Sequence, residues 1–334
     1  TVTTEVMFAI ATDKTLGMGQ ANWWYNSSTY GPHLCMSRKF MNTYLNIDGT
    51  PYSDKHADGS YKTFVEDCTG RDLRFNQTVR GADYTRKDAS GAYVATPANF
   101  QGHSLTGYQF TKWVMDDVAY DDGENNDNDQ PLMRYAEVLL NYAEAQAELG
   151  KLTDAEWAET IGALRARAGI TGGTAQTGTL TTKPTSAEPY IAAYYPGVSN
   201  PVVLEVRRER EIELALEGLR LNDLKRWNAC DLWVNDPWQG VLIPALNAPL
   251  DMNGDGTYDA YFYDTDKIAD ETYASIGVYV GTGKNNVLNV EKVNGGYLMK
   301  YNYAGRQWPA RQYLYPVPEV VIQFNPNLKQ NPGW

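Results

Sequence analysis

A run of oxygen-bearing side chains in the second half of the chain has the spacing of a calcium-binding loop. Oxygen donors occupy every second position from 251 onward, at Asp251, Asn253, Asp255, Thr257 and Asp259. Glycine stands at the sixth position, as in such loops, but Phe262 replaces the expected bidentate glutamate, with Asp264 close by. Runs of Asp, Asn and Gly also form turns without metal. The sequence therefore leaves two interpretations open, a calcium ion with a structural role and a metal-free turn.

An aromatic cluster early in the chain is the first candidate for ligand binding. Tryptophan and tyrosine combine a flat apolar face with a polar edge, so they suit sugar rings, whose C–H faces stack while their hydroxyls need polar neighbours. The cluster combines four aromatic rings with two amides, namely Trp23, Trp24, Tyr25 and Tyr30 with Asn22 and Asn26. The alternative is that Trp23 or Trp24 anchors this loop to the core.

Tyr194 and Tyr195 form the second candidate for sugar contact. They close a Thr- and Gly-rich insert between Ile170 and Asn200, and long inserts of this kind are either functional or disordered. The whole chain has 24 tyrosines and 9 tryptophans against 8 phenylalanines. That balance suits half-wet binding surfaces, and it equally suits loops that pack with tyrosine.

The sequence predicts no catalytic residue. Glycoside hydrolysis needs two carboxyl groups about 5 to 9.5 Å apart across a cleft. The candidate carboxylates are interleaved with arginines on a helix, which favours salt-bridged packing instead; they are Glu209, Glu213, Glu217 and Asp223. Their spacing predicts local ion pairs, Arg207 with Glu211 and Arg210 with Glu213. The three histidines lack zinc spacing, and no serine-nucleophile, P-loop or dinucleotide motif occurs, so we predict a protein that is not an enzyme.

Composition limits the class of ligand. A net charge of −12 and a pI near 4.8 argue against nucleic acid, because a polyanion would be repelled, and they fit uncharged ligands. With 43% hydrophobic residues, the 334-residue chain can form a substantial core in one large or two ordinary domains. No apolar run reaches the roughly 18 residues of a membrane span. The three cysteines form no disulfide framework, and buried free thiols are expected, although a Cys35–Cys68 bridge stays open.

The elements that would position these residues are chiefly helical. Two adjacent apolar rows run at helical spacing through residues 132–149, one containing Tyr135 and the other Ala136. Gly150 ends this helix, and Thr153 with Glu156 forms a capping box that starts the next one. The apolar stripe of that second helix begins at Trp157, and the whole unit has a length of about 34 residues, the tetratricopeptide period.

The predicted fold is mainly α, an α–α superhelix of tetratricopeptide-like hairpins with a loop-rich layer and short β-hairpins. Residues 1–126 would form the loop-rich, ligand-facing layer, and residues 127–334 the helical hairpins. We predict a helix over 201–217, a break at Gly218, a short helix through Trp227, and another starting at Glu319.

Three motifs in a fixed order resemble one family over nearly the whole chain. They are Arg-Tyr-Ala-Glu-Val-Leu-Leu at 134–140, Glu-Arg…Glu-Gly…Arg…Asp-Leu…Arg-Trp within 209–227, and Pro-x-Pro…Gln-Asn-Pro-Gly-Trp at 316–334. Weaker matches lie at 5–8, 71–74 and 107–112. Together they resemble the C-terminal part of the SusD/RagB family, the surface glycan-binding lipoproteins of Bacteroidetes.

The resemblance implies non-catalytic capture of an oligosaccharide at the outer membrane surface, without a required cofactor, and delivery to a SusC-like TonB-dependent transporter. A peptide-binding RagB-like protein is the alternative, and a carbohydrate-active enzyme is a weaker one. The resemblance implies that the members of this family are longer chains, anchored to the membrane through a lipid on their N-terminal part. We therefore interpret this chain as a C-terminal portion. That interpretation predicts an exposed apolar face on the hairpin at Tyr135 or beside Trp157.

Overall fold

We describe a computed structural model of the chain over residues 5–16, 35–98, 100, 104–121, 129–235, 238–265, 273–281, 288–300 and 306–334. The helices in these residues are α1 (Arg38–Met41), α2 (Phe64–Cys68), α3 (Arg74–Thr78), α4 (Tyr135–Glu148), α5 (Asp154–Trp157), α6 (Ala163–Arg167), α7 (Pro189–Tyr194), α8 (Pro201–Glu213), α9 (Arg220–Arg226), α10 (Asp231–Asn235) and α11 (Glu319–Phe324). The strands are β1 (Val6–Ile10), β2 (Thr85–Lys87), β3 (Tyr93–Ala95), β4 (Gln130–Arg134), β5 (Gln239–Ile243), β6 (Pro249–Leu250), β7 (Ala260–Tyr263), β8 (Ala274–Val280), β9 (Leu288–Val293) and β10 (Gly296–Lys300).

A six-stranded sheet shows that the prediction of a mainly α fold was wrong. Its strand order is β5-β10-β9-β8-β7-β6, with parallel pairing of β7 to β8 and of β8 to β9 and antiparallel pairing elsewhere. The sequence suggested only short hairpins here. Parallel neighbours are not joined by a tight turn, so no turn motif in the sequence marks their pairing. The fold is mixed, with helices and a sheet sharing one core.

The helical hairpin after β4 is confirmed, and its first helix begins later than predicted. Residues 130–134 pair with β1 as a strand, so α4 starts at Tyr135 rather than at Leu132. Gly150 ends the hairpin's first arm with a φ of +66°. Thr153 and Glu156 form the predicted capping box. The tetratricopeptide repeat itself stays a prediction, as does the division of the chain at residue 126.

Only one of the two apolar rows of α4 is covered. The row containing Ala136 and Leu140 is buried against the second arm, where Trp157 is fully buried. The other row is open: Tyr135, Tyr142 and Leu149 are 51%, 44% and 66% exposed. The described residues therefore leave the exposed apolar face that was expected on this hairpin. None of the described helices is long and apolar enough to cross a membrane.

A turn of π-helix connects α5 to α6 and lets the Thr-rich insert pack closely. It spans Ala158–Gly162, and a Cβ added to Gly162 would lie 1.9 Å from the carbonyl oxygen of Leu180. Glycine is therefore required for this approach. The insert is thus ordered against the hairpin, and its end forms α7 and leads into α8.

Helix α8 lies between the layers and is buried around its whole circumference. Every residue from Val203 to Glu213 is buried. Ile212 packs into the core shared by the sheet and the N-terminal layer, whereas Val206 packs into the hairpin core. The helix ends at Glu213, earlier than predicted, and Leu216 and Gly218 then adopt positive φ values of 62° and 81°.

Candidate functional site: two cavities beside one buried helix

The burial of α8 forces its charged residues to find partners. An unpaired buried charge is strongly unfavourable, so buried ions are paired or they neutralise. Because α8 has no solvent-facing side, most of its arginines and glutamates are matched by residues from other segments, although Arg208 also pairs with Glu205 of the same helix at 3.0 Å. Two different solutions appear on its two flanks.

On one flank, four arginines and five glutamates form a network that we call the arginine cluster, made of Arg74, Arg134, Arg165, Arg167, Glu5, Glu205, Glu209, Glu213 and Glu217. Arg165 is fully buried and bridges Glu205 and Glu209, each at 2.8 Å. Arg74 contacts Glu209 at 2.6 Å and Glu213 at 2.9 Å. Each of these buried carboxylates therefore accepts hydrogen bonds from a guanidinium.

Glu213 is the centre of this cluster. It accepts hydrogen bonds from Arg74, Arg134 and Arg167. Burial alone would raise the pKa of Glu213, but the three guanidinium groups outweigh it and lower that pKa to about 2. Glu217 is engaged in the same way by Arg134 and by Lys112, at 2.7 and 2.6 Å.

These contacts confirm that the candidate carboxylates are salt-bridged packing residues. They also show that the predicted local pairs were wrong. Arg207 pairs with Glu148 at 3.1 Å, and Arg210 pairs with Asp223 at 2.8 Å. Spacing along one helix does not decide these two pairs, because the buried side chains of Arg207 and Arg210 also meet carboxylates from other segments.

A cavity of about 440 Å³ lies over the arginine cluster. Arg134, Arg167, Lys112 and Glu213 contribute to its wall, together with Trp113. The cations in this wall have carboxylate partners inside the protein, so an added anion would have to displace an existing ion pair. The charged side chains of this cavity therefore stabilise the fold through their ion pairs.

On the other flank of α8 lies a cavity of about 500 Å³, which we call the tyrosine pocket. Its lining comes from α1, from the end of α7 and the loop that follows it, from α8, and from the turn after α9 together with the start of α10. The lining residues are Lys39, Ala193, Tyr194, Tyr195, Pro196, Gly197, Val198, Arg207, Trp227, Asn228, Ala229, Asp231 and Leu232. The volume lies in the range of ligand pockets, roughly 300–1,000 Å³. This pocket contains both members of the second predicted pair, Tyr194 and Tyr195.

Local capping fixes the walls of the tyrosine pocket. Glu188 caps α7 by accepting hydrogen bonds from the backbone N–H groups of Tyr190 and Ile191, at 2.8 and 2.9 Å. Asn200 caps α8 by accepting from the N–H of Val202 at 2.9 Å. Asn228, with a φ of +54°, turns the chain after α9. The pocket is therefore built on helix ends that the sequence specifies locally.

The aromatic rings of the tyrosine pocket pack edge to face. The rings of Tyr194 and Tyr195 lie 5.0 Å apart, and those of Tyr195 and Trp227 lie 5.7 Å apart at 86°. Tyr195 is only 2% exposed; its hydroxyl donates to Glu211 and accepts from Arg220. Burial raises the pKa of Tyr195, so the hydroxyl stays neutral. Tyr195 is thus a supporting ring, and Trp227 is the less buried aromatic of the pocket.

The polar groups of the tyrosine pocket differ from those of the arginine cluster. Among the described residues, no hydrogen bond or ion pair engages the side chains of Lys39, Asn228 or Asp231. Lys39 Nζ lies 5.5 Å from the ring centroid of Tyr194. Arg207 lies 4.7 Å from the Trp227 ring, and its buried Nε has no hydrogen-bond partner. Aromatic faces beside available polar groups are the usual composition of a ligand site.

Sequence reasoning missed three residues of this pocket. Trp227 belongs to the Arg-Trp motif of the family resemblance, which by itself does not indicate a ligand contact. Lys39 carries no signal of its own, since only the fold brings α1 to α7. Arg207 was assigned to a local ion pair that does not form. The first predicted site, formed by Trp23, Trp24, Tyr25, Tyr30, Asn22 and Asn26, lies outside the described residues and stays a prediction.

The carboxylates of the predicted calcium loop contact the loop's own backbone. Asp251 accepts hydrogen bonds from the N–H groups of Gly254 at 2.6 Å and Gly256 at 2.8 Å, and Asp259 accepts from that of Met252 at 2.7 Å. In the part of the chain that the structure describes, no group of three or more His, Cys, Asp or Glu side chains converges on a metal position. An Asp/Gly turn accounts for this geometry, and calcium binding by Asp251, Asn253, Asp255, Thr257 and Asp259 stays a prediction.

Comparison with known proteins identifies the class. The chain belongs to the SusD family, whose model matches residues 4–334, which confirms the resemblance. A SusD-like protein of Bacteroides fragilis superposes with a TM-score of 0.57 at 21% identity, over 99% of this chain and 54% of that one. The protein BT4246 superposes with a TM-score of 0.53 at 20% identity, over 89% of this chain and 44% of that one.

At 21% and 20% sequence identity, the similarity to these two solved structures shows a shared fold. The chain spans about half of their length. No curated protein matches it.

Proposed function

We propose that this chain binds an oligosaccharide without altering it and that the tyrosine pocket provides one of the sugar contacts. Membership of the SusD family supports a role in glycan binding. The observation that carries the proposal is the pocket's composition. A half-buried Trp227 and a Tyr194 ring that is 6% exposed line it, beside polar side chains without a hydrogen bond or ion pair among the described residues. Sugar rings need both an apolar face to stack on and groups for their hydroxyls.

The same family membership supports a place in nutrient uptake at the outer membrane surface. We propose that the bound oligosaccharide passes to a SusC-like TonB-dependent transporter. Modest affinity would suit capture followed by release, and a few stacking contacts with some hydrogen bonds supply affinity of that kind. The aromatic cluster at 22–30 would form the other part of the sugar site.

A substitution at Gly197 tests the pocket without disturbing its core. Gly197 lines the pocket, and a Cβ added there would meet nothing within 4 Å. Gly197→Phe should fill the pocket and weaken glycan binding about tenfold or more, whereas Gly197→Ala should leave affinity within about twofold. A glycan array identifies the ligand, and calorimetry with the purified chain measures the affinity. Equal affinity of the two variants would remove the pocket from the site.

The double variant Trp23→Ala/Trp24→Ala tests the other predicted contact in the same assay. Loss of glycan binding is expected. Two results would overturn the proposed function: peptide binding with no glycan signal, and cleaved products after incubation with glycan pools.

A further inference from the structure

We propose that the tyrosine pocket selects saccharides that carry an anionic group, a carboxylate or a sulfate. This inference rests on the proposed function, and it names the ligand class. It departs from the expectation of uncharged ligands that the acidic composition suggested, and it comes from charges that the fold brings together.

The first step is the charge balance of the pocket. Its lining contains two cations, Lys39 and Arg207, and one carboxylate, Asp231. The balance of the lining side chains alone is therefore positive, on a chain whose formal net charge is −12. Glu148 pairs with Arg207 from outside the lining and offsets one cation, so Lys39 is the cation that matters most. The general field of the protein repels anions, so an anionic ligand would be held only where cations are concentrated and available.

The second step is the availability of Lys39. Its ammonium lies over the Tyr194 ring, 5.5 Å from the centroid, and no carboxylate among the described residues pairs with it. The side chain is half-buried. A partly buried charge is screened less by salt than an exposed one, so a ligand anion beside this ring would gain more than at an open surface. A sugar stacked on an aromatic of the pocket would place its substituents within reach of this ammonium.

The third step is the weak neutralisation of Arg207. Among the described residues, its one carboxylate partner is Glu148, at 3.1 Å. The Arg207 side chain is 9% exposed and that of Glu148 is 49% exposed, so water screens the pair from the glutamate side. Arg207 also stacks on Trp227, which holds its guanidinium beside the pocket. This contrasts with Arg165, which is enclosed by two buried carboxylates.

The experiment uses an array of glycans printed in matched pairs, each acidic glycan beside its neutral form. Uronic acids are paired with their carboxyl-reduced counterparts, and sulfated sugars with their desulfated ones, so the two sources of negative charge are distinguished. We expect the acidic member of at least one pair to bind about tenfold more tightly, and the preference to shrink as NaCl rises from about 50 to about 500 mM.

Lys39→Gln should reduce that preference to within about twofold, and Lys55→Gln is its matched control. Lys55 also lies over a tyrosine ring, 4.6 Å from the centroid of Tyr61, and it does not line the pocket. Equal binding of both members of every pair, or an acidic preference that survives Lys39→Gln, would overturn this inference and leave the proposed function standing. Absence of binding to any glycan would overturn the proposed function as well.

Discussion

The arginine cluster and the tyrosine pocket lie on two flanks of the same helix, and they use arginine in opposite ways. In the arginine cluster, Arg165 is closed in by Glu205 and Glu209, and the charges cancel inside the protein. In the tyrosine pocket, Arg207 is stacked on Trp227, and its one carboxylate partner in the described part of the chain is the exposed Glu148. An arginine that is paired with buried carboxylates stabilises the fold, whereas an arginine with a weaker partner remains available to a ligand. The difference lies in the ion pairs and not in the residue type.

Removing Arg165 should produce the largest effect, and on stability alone. Arg165→Leu removes a buried cation from Glu205 and Glu209, which keep Arg208 and Arg74 as their remaining partners. Breaking a buried ion pair typically costs about 3–5 kcal/mol. Urea denaturation should show that decrease in the free energy of unfolding. Arg167→Gln is the control, because the Arg167 side chain is 44% exposed and its loss should cost about 1 kcal/mol or less. If Arg165→Leu also weakened glycan binding per folded molecule, the division between the two flanks would be wrong.

Acid should weaken the arginine cluster through Glu213. Burial raises the pKa of Glu213, but Arg74, Arg167 and Arg134 lower it to about 2, below the ordinary value of 4.5. A lowered folded-state pKa contributes stability above pH 4.5 that is lost as the pH falls towards 2. For a shift of this size the contribution is roughly 3 kcal/mol.

The difference between the native chain and Glu213→Gln isolates this effect. Urea denaturation between pH 6 and pH 2.5 should show a steeper loss of stability for the native chain than for the variant. The subtraction is needed because burial raises the pKa of Glu205, a change of opposite sign. Parallel stability curves for the two chains would show that Glu213 is not held ionised by the cluster.

Features set by neighbouring residues could be predicted from the sequence. The capping box of Thr153 and Glu156 and the turn at Gly150 involve only a few consecutive residues, and both are confirmed. The family could also be predicted, because each of its motifs is a short run of nearby residues that can be read directly from the sequence. Most ion pairs of α8 could not be predicted this way, because the arginine can also reach carboxylates brought by distant segments, as Arg207 does with Glu148. The pair of Arg208 with Glu205 is the local exception.

The candidate site was predictable only in part. Tyr194 and Tyr195 were selected for their chemistry, and the structure does place them in a cavity. Their neighbours Lys39 and Trp227 come from other elements, and no local pattern reports that meeting. The six-stranded sheet was missed for a related reason, since parallel strand pairs such as β7 and β8 are joined by no tight turn.

Removing the Tyr195 hydroxyl should separate support from binding within the tyrosine pocket. Tyr195→Phe removes one hydrogen bond from the buried Glu211, whose same oxygen keeps the guanidinium of Arg220 at 2.9 Å. A hydrogen bond to a charged group contributes about 1.5–3 kcal/mol, so the thermal midpoint should fall, whereas glycan affinity should stay within about twofold because the ring remains. Tyr142→Phe, which removes an exposed hydroxyl bonded to Glu156, should leave stability unchanged. If Tyr195→Phe weakened glycan affinity per folded molecule, Tyr195 would instead be a ligand contact.

Calcium should have the smallest effect, and it adds a third arrangement of charge to the comparison. Among the described residues, no arginine or lysine pairs with the carboxylate of Asp251, which accepts hydrogen bonds from the backbone N–H groups of Gly254 and Gly256. Burial raises the pKa of Asp259, and the nearby Asp255 and Asp251 raise it further, a repulsion that a divalent cation would relieve.

At a calcium concentration about tenfold above its Kd, linkage stabilises the folded state by about 1.4 kcal/mol. The thermal midpoint should then rise by about 2–4 °C and return on chelation. Asp251→Asn should abolish the rise, and magnesium, which requires a tighter octahedral shell, should not reproduce it. No shift with calcium would establish the loop as an Asp/Gly turn whose backbone N–H groups suffice to hold its carboxylates.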